Sequence, residues 1–331
     1  MFNNYRYFIA LAEEGGISRA ADRLFITHQN LSKYLSNLED EFGVPLFQRK
    51  PVFALTYAGQ LVLDAFRQVE LTEHNLNTQL VDLRKDSGGE IRLGTTEGRL
   101  RILMPDIITE FRREFPGVRL LITSAASPEL RKLLQNSQLD LIVAGVPPER
   151  SVMLNYDVVL RERLYLVISD NMLRDLFADD YPACKQKLQH GADLRLFQSV
   201  PFAMNLPNLN SNILITRHFT KLGISPNCVH TSSHPDLHHM MSARDYAASF
   251  CLTMYLPSLF KLNASLDNKL NVFPIENLSE RNPVAVCTLK NRMLPHYTLA
   301  LIQTLRRQCG NYANYDLITE ESYDYFLLGT L

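Results

Sequence analysis

Residues 27–37 carry a dense set of hydrogen-bonding side chains along one side of an apolar repeat. Leu31, Leu35 and Leu38 recur at intervals of four and three residues, which is the spacing of one buried helix face. Thr27 precedes them and is a residue type that caps helices by accepting from free backbone N–H groups. Short polar side chains on the opposite face are suited to base edges, and a lysine among them is suited to a phosphate. These candidates are His28, Gln29, Asn30, Ser32, Lys33 and Asn37.

The elements around this helix predict a helix-turn-helix followed by a basic wing. A short helix containing Ala20, Ala21 and Leu24 is joined through Phe25 and Ile26 to the second helix, which is predicted to run to about residue 42. A helix held in this way can enter the major groove of double-stranded DNA. Besides Thr27 and Lys33, the candidate DNA-binding residues are Arg19, Arg23, Arg49 and Lys50.

The charge of this segment places a condition on DNA binding. Residues 1–59 hold six cations against six anions, so the segment has no net charge. Binding must therefore depend on a local basic face, and we expect modest affinity per protomer with two half-sites needed for useful binding.

These residues resemble the winged helix-turn-helix of the LysR-type transcriptional regulators. The matching motifs are AADRL at 20–24, THQNLSK at 27–33, NLEDEFGVPLF at 37–47 with Arg49, and LTYAG at 55–59. His28 stands where the family usually has Gln, and Gln29 where Pro is frequent. The resemblance implies an all-α winged helix-turn-helix DNA-binding domain at 1–58, but it does not transfer an operator sequence.

Composition is that of an ordinary globular protein. The 331 residues are 46% apolar, with a formal net charge of −1. No apolar run is long enough to cross a bilayer, and the first residues do not form an export signal, so we expect a cytoplasmic protein. The cysteines are odd in number and scattered, which indicates reduced thiols and leaves a redox switch as the alternative. They are Cys184, Cys228, Cys251, Cys287 and Cys309.

A long helix is predicted from Tyr57 to about Lys85, with Thr56 as its N-terminal cap and a linker reaching residue 88. Its apolar positions form a stripe through polar sequence, and such a helix would be marginal alone. We therefore expect it to pair with its copy in a homodimer, as the resemblance also implies; a solvated spacer helix is the alternative. The resemblance further implies a homotetramer. The stripe comprises Leu61, Phe66, Val69, Leu76, Leu80 and Leu83.

Short apolar strands alternate with helices from Gly89 onward, which predicts a parallel sheet covered on both faces. Among these elements we expect helices at 104–115 and 236–247 and a single strand at 160–169. The segment from Gly89 onward resembles the α/β two-lobe, periplasmic-binding-protein-like effector domain of the same family. The matching features are Gly94 with Pro105 eleven residues on, F-x-x-x-F-P at 111–116 and Leu139-Asp140-Leu141. We expect this domain to occupy residues 89–310, with lobe 1 at about 89–169 and 271–310 and lobe 2 at about 170–270. The remaining tail, 311–331, is acidic and aromatic-rich, and it is either an extra helix or a mobile end.

The expected effector site is the crevice at the carboxyl ends of the strands, where helix N-termini offer N–H groups to an anion. Hydroxyls at these points suit a small carboxylate, although Ser127 before Pro128 is also an ordinary helix cap. Arg99 and Arg101 are candidate counter-charges, with solvated surface arginines the more ordinary interpretation. The candidate effector-binding residues are Thr95, Thr96, Ser124 and Ser127 in lobe 1 and Gln198, Ser199, Thr231 and Ser232 in lobe 2.

Other functions have weaker support in the sequence. Histidines 230, 234, 238 and 239 are clustered, but Pro235 disturbs the helical spacing that a metal pair needs, and we expect capping and surface roles for them. There is no P-loop, nucleophile elbow or paired-cysteine motif, so we predict no enzyme, cofactor or metal site. Two alternatives remain. The first is a regulator that has lost its effector, because Gly98, Ala247 and Ala248 depart from the family pattern; the second is a solute-binding protein or enzyme built on the α/β domain.

Overall fold

The computed structural model describes residues 4–49, 52–83 and 88–315. Two compact units divide the chain: the first comprises residues 1–86 and 291–295, and the second comprises residues 87–290 and 296–331. Among the described helices, none combines the length and the apolarity needed to span a bilayer.

The first unit is a winged helix-turn-helix followed by a long helix. Both predicted caps are confirmed: the Asn30 N–H donates to the Thr27 hydroxyl at 3.2 Å, and the Gly59 N–H donates to the Thr56 hydroxyl at 3.0 Å. The elements are α1 (Tyr5–Glu14), α2 (Ile17–Leu24), α3 (His28–Phe42), β1 (Phe47–Gln48), β2 (Ala54–Leu55) and α4 (Tyr57–Leu83).

The core of this unit joins all the helices to the wing. Leu31, Leu35 and Leu38 are buried, as their spacing predicts. The Phe8 ring packs against Phe47 at 5.2 Å and against Phe66 of α4 at 5.5 Å between ring centroids. Because Phe66 lies in this core, the amino-terminal part of α4 belongs to the DNA-binding fold as well as to the linker. The final residues of the predicted helix, 84 and 85, lie outside the described residues.

The second unit contains two sheets, each flanked by helices. The lobe 1 sheet has the order β4-β3-β5-β12-β6, in which β4, β3 and β5 are parallel and β12 is antiparallel to its neighbours. Its strands are β3 (Glu90–Thr95), β4 (Arg119–Ser124), β5 (Leu141–Gly145), β6 (Leu154–Glu162) and β12 (Asn282–Leu289). Its helices are α5 (Glu97–Glu114), α6 (Ser127–Gln135) and α12 (His296–Asn311).

The lobe 2 sheet is built around β7, which pairs antiparallel with β10 and β11. The parallel pair β8-β9 joins it through backbone hydrogen bonds between Ala203 and Ala248 and between Ala248 and Pro201, both 2.8 Å. The strands are β7 (Leu164–Ser169), β8 (Pro201–Asn205), β9 (Asn227–Ser232), β10 (Ser249–Leu252) and β11 (Leu270–Pro274). The helices are α7 (Asp170–Phe177), α8 (Cys184–Gln189), α9 (Asn210–Lys221), α10 (Pro235–Ser242) and α11 (Leu256–Ala264).

The structure corrects both predicted lobe boundaries. The segment 160–169 is not one returning strand, because β6 ends at Glu162 in the first sheet and β7 begins at Leu164 in the second. The chain therefore first crosses between lobes at Arg163 rather than at Ser169. The return crossing follows β11, which still belongs to lobe 2. The change of sheet falls within the charged run Arg161-Glu162-Arg163, and only the pairing partners of β6 and β7 reveal it.

One predicted helix begins too late, and another ends too late. The α5 helix starts at Glu97, seven residues before the predicted start at Met104. Here Pro105 lies inside the helix. The α10 helix ends at Ser242, five residues before the predicted end at Ala247. The tail beyond a 3₁₀ turn at Tyr312–Tyr315 lies outside the described residues.

Candidate functional sites

The polar face of α3 is presented to solvent. His28, Gln29, Asn30, Lys33 and Asn37 are exposed and Ser32 is half-buried, while the leucines of the opposite face are in the core. Within the described ranges, Lys33 forms no ion pair. This face therefore has the composition and accessibility that reading a DNA groove requires.

The predicted arginines are placed differently from one another. Arg23 is held between Glu13 at 2.7 Å and Glu14 at 3.1 Å, and so it ties α2 to the end of α1. Arg19 is exposed and donates to the Gly15 carbonyl at 3.2 Å. Arg49 is exposed and 3.2 Å from Glu39. Lys50 lies outside the described residues. Among the described residues, Arg19, Lys33 and Arg49 are exposed cations of this domain that are not held between two carboxylates, as Arg23 is.

Glu39 links the recognition helix to the wing, a role that its place in an acidic run does not indicate. Its carboxylate accepts from the backbone N–H groups of Leu46 at 2.8 Å and Phe47 at 3.1 Å, and it also meets Arg49. Bonds from backbone donors to a carboxylate are stronger than neutral ones. We infer that Glu39 sets where β1 starts relative to α3.

A cleft of about 310 Å³ lies between the lobes of the second unit. The first residues of four helices meet there: α5 at Glu97, α6 at Ser127, α9 at Asn210 and α10 at Pro235. None of these four helix starts has a side-chain cap hydrogen bond. Uncapped N–H groups and four positive dipole ends in one cavity favour an anion.

Three of the eight predicted effector residues line this cleft: Thr96, Ser124 and Ser127. Thr95 does not, because it is fully buried and its hydroxyl donates to the Val143 carbonyl at 3.1 Å. The four lobe 2 candidates, Gln198, Ser199, Thr231 and Ser232, are also absent from the lining.

The lobe 2 candidates lie outside the cleft for a simple physical reason. Gln198 and Ser199 precede β8, whereas the cleft lies at its carboxyl end, where Asn205 contributes instead. Ser232 is the last residue of β9, but its hydroxyl accepts from the His234 N–H at 3.0 Å and contacts the His238 ring at 3.1 Å. The next residue, Ser233, lines the cleft. The carboxyl end of a strand predicts cleft residues only when the last residue of that strand is known.

A buried ion pair lies beside the cleft, where the chain crosses between lobes. The Arg99 guanidinium donates to Glu162 at 2.9 Å, and the Asn282 amide donates to the same carboxylate oxygen at 2.7 Å. Burial lowers the pKa of Arg99, but the Glu162 carboxylate, together with Tyr255 and Cys309, more than offsets this, and the net shift is upward. Arg99 is thus not the solvated arginine that the sequence favours. It connects α5 to the last residue of β6 and the first of β12.

Packing in the same region gives a structural reason for the glycine at position 98, where the sequence departs from the family pattern. A Cβ at Gly98 would lie 2.1 Å from the Tyr255 hydroxyl, so glycine makes room for this buried ring in the cleft wall. Burial raises the pKa of Tyr255, which therefore stays a neutral hydroxyl.

The cleft also contains one carboxylate. Glu97 accepts from Arg101 at 2.9 Å and from the Ser124 hydroxyl at 3.1 Å, and these hydrogen bonds, the arginine's first, lower its pKa. Arg101 is exposed, as expected, and it also reaches Asp236 of lobe 2 at 3.6 Å. Arg101 therefore balances the negative charge of Glu97 through an exposed ion pair.

The clustered histidines do not form a metal centre among the described residues, where no group of three or more ligands is suitably placed. The expectation of capping and surface roles is wrong for two of them, because His238 and His239 are buried. Burial, followed by neighbouring imidazoles, lowers the pKa of both to about 4. Both rings are thus uncharged at neutral pH and behave as core residues.

Comparison with known families matches both units. Residues 2–60 match the bacterial regulatory helix-turn-helix protein, lysR family, and residues 84–310, more than half of the chain, match the LysR substrate binding domain. The chain belongs to the LysR family.

Similar members of the LysR family are named as regulators. The HTH-type transcriptional activator CmpR of Synechocystis is 29% identical over 188 residues, which is 56% of this chain and 58% of that protein. A probable RuBisCO transcriptional regulator of Gracilaria tenuistipitata is 31% identical over 167 residues, 49% of this chain and 54% of that protein. These alignments span little more than half the length of each relative.

Solved LysR-family structures share the fold across nearly the whole chain. A full-length OxyR from Pseudomonas aeruginosa has a TM-score of 0.64 at 20% identity, covering 92% of this chain and 97% of that one. Full-length CbnR in a complex with its target DNA has a TM-score of 0.51 at 18% identity, covering 93% and 99%. At these identities the likeness shows the fold alone.

Proposed function

We propose that this LysR-family chain is a sequence-specific DNA-binding transcriptional regulator that responds to a small anionic effector. The observation that carries the proposal is the exposed polar face of α3, from His28 to Asn37, on a helix whose leucines anchor it in a packed core. Among the described residues, none forms a hydrogen bond or an ion pair with the side chains of this face, and these side chains match base edges and phosphates. A regulator of this kind would act in the cytoplasm and needs no catalytic group.

We propose a homodimer formed through α4, with two dimers forming a tetramer. Leu61, Leu76 and Leu80 of this helix are each about half exposed, at 54%, 55% and 46%. Exposed leucines along one long helix are typical of a surface that pairs with another helix. The proposed domains are 1–58 for DNA binding, 59–88 for dimerisation and hinge, 89–310 for the effector, and 311–331 as a tail.

Selection of genomic fragments by the full-length protein tests the DNA-binding function and the dimer together. We expect an enriched site with dyad symmetry, because two copies of α3 related by a two-fold axis read two half-sites.

In a matched test, Lys33→Ala should weaken binding to every sequence and reduce the slope of log K against log salt by about 0.9 per protomer, since one phosphate contact is lost.

A second substitution serves as the control for Lys33. Gln29→Ala should change which base is preferred, with each base contact worth about 1 to 3 kcal/mol, and should leave the salt slope as it was. If the Lys33→Ala protein binds every sequence as tightly as the parent at several salt concentrations, the proposed orientation of α3 is wrong.

The cleft supports an anion as the effector. Four uncapped helix starts meet in it, and Thr96 and Ser127 add hydroxyl groups. A ligand that touches both lobes regulates DNA binding only if it prefers one arrangement of the protein over another.

Thermal unfolding of the full-length protein against a panel of small carboxylates and their uncharged amides tests this proposal. A true effector at one hundred times its Kd should stabilise the folded state by about 2.7 kcal/mol, and its amide should not. Ser127→Phe fills the cleft and should abolish the shift, whereas Ser265→Phe, at the exposed end of α11, should not. A protein that binds its DNA site but responds to no member of the panel would favour the effector-independent regulator.

A further inference from the structure

Phe25 is the most exposed large apolar residue described in the chain. It lies in the turn between α2 and α3 and is 96% exposed. Leu24 and Ile26 on either side both pack against the core of the first unit, but Phe25 is not among the described residues that do. An aromatic ring left fully in water forgoes the burial that such side chains normally supply.

The backbone at Phe25 is also unfavourable for a bulky residue. Its φ is +54°, in the left-handed region that glycine and asparagine adopt more readily. The turn is well held, because the Phe25 N–H donates to the Asp22 carbonyl at 3.2 Å and the Ile26 N–H donates to the Ala21 carbonyl at 3.1 Å. Within the first unit, phenylalanine is therefore unfavourable at this position for two reasons: its ring is exposed to water and its backbone is left-handed.

The neighbours of Phe25 indicate what covers it. The turn leads directly into Thr27, His28 and Gln29, all exposed, at the amino-terminal end of α3. Three residues span at most about 10 Å, so the ring lies at the edge of the surface that enters the major groove. The apolar group that a base presents in that groove is the C5-methyl of thymine. An apolar contact also fits a segment with no net charge, since it does not depend on phosphate attraction.

We propose that Phe25 packs against the C5-methyl group of a thymine that flanks the bases read by α3. The proposal rests on the DNA-binding function proposed above. It makes Phe25 a specificity-determining residue outside the recognition helix, with a contact that adds affinity at high salt as well as at low salt.

Selection from a random-sequence duplex library, with the full-length protein and with Phe25→Asn, tests this inference. The parent should enrich a thymine beside each core half-site, and the variant should lose that preference while keeping the core. Replacing that thymine by uracil, which lacks the methyl group, should weaken DNA binding by the parent protein about three- to fivefold and leave binding by the variant unchanged. The variant should unfold at the same temperature or higher, because asparagine fits the backbone better.

Val44→Asn is the matched control, because Val44 is also an exposed apolar residue, at 43%, but follows the opposite end of the 15-residue α3. It should select the same sites as the parent. If Phe25→Asn and the parent select identical sequences with equal affinity, the inference fails while the DNA-binding function stands. If the parent itself enriches nothing, the proposed function fails first.

Discussion

Gly59→Ala should destabilise the DNA-binding unit by about 3 kcal/mol, although alanine normally favours a helix over glycine by about 0.5 to 1 kcal/mol. A Cβ at Gly59 would lie 2.0 Å from the Leu46 carbonyl oxygen and 3.0 Å from Leu55 Cδ2. The clash is with a backbone atom that cannot rotate away, and the Leu46 carbonyl also accepts a hydrogen bond from the Thr56 N–H at 3.0 Å. The first turn of α4 must therefore move away from the wing.

Hydrogen exchange of the full-length protein is the measurement suited to Gly59→Ala. We expect protection of α1 to α3 to fall by about two orders of magnitude, while the second unit keeps its protection, since the damage is confined to the first. Gly310→Ala, in α12, is the matched control and should be neutral or stabilising, because no described atom outside its own helix backbone lies within 4 Å of the added Cβ. Unchanged protection in Gly59→Ala would mean that the contact between α4 and the wing is not rigid.

Arg99→Met should destabilise the α/β unit by about 3 to 5 kcal/mol, the second large effect expected. Glu162 is fully buried, and the substitution leaves the Asn282 amide as its only hydrogen-bond partner among the described residues. An uncompensated charge in a low-dielectric interior is strongly destabilising, whereas removing both charges costs far less. Denaturant unfolding of the full-length protein, followed by far-ultraviolet circular dichroism, measures the change.

Two further variants separate the lost charge from lost packing. The double variant Arg99→Met with Glu162→Gln should recover most of the stability, because no buried charge then remains. Arg101→Met, two residues along α5 and 57% exposed at its side chain, should change stability by no more than about 0.5 kcal/mol. A double variant no more stable than Arg99→Met would show that packing around the methionine, and not the carboxylate, is the cause.

Several predictions drawn from local patterns are confirmed by the structure. The leucine spacing of α3 and the caps at Thr27 and Thr56 depend on residues at most four apart in the chain. The exposure of the polar face follows directly, because burying one side of a helix leaves the other in solvent. The α/β class follows in the same way, since alternating strands and helices have few packing solutions.

Predictions of which residues meet at the site depend on distant neighbours, and several of these need correction. Gln198 and Ser199 are assigned to the cleft by their closeness to a strand, but only the pairing of β8 shows which end faces it. Arg99 appears in the sequence as an ordinary helix arginine, and only the fold brings Glu162, 63 residues away, to its guanidinium. The buried histidines 238 and 239 are a third case.

The sequence by itself determined the family, the order of the two units and the face of α3 that meets solvent, because motifs and periodicity are local properties of the chain. Only the tertiary structure decided which arginines are accessible, why glycine stands at 59, and where the cleft lies. These depend on atoms brought together from distant parts of the chain, and their distances are set by packing that no short pattern encodes.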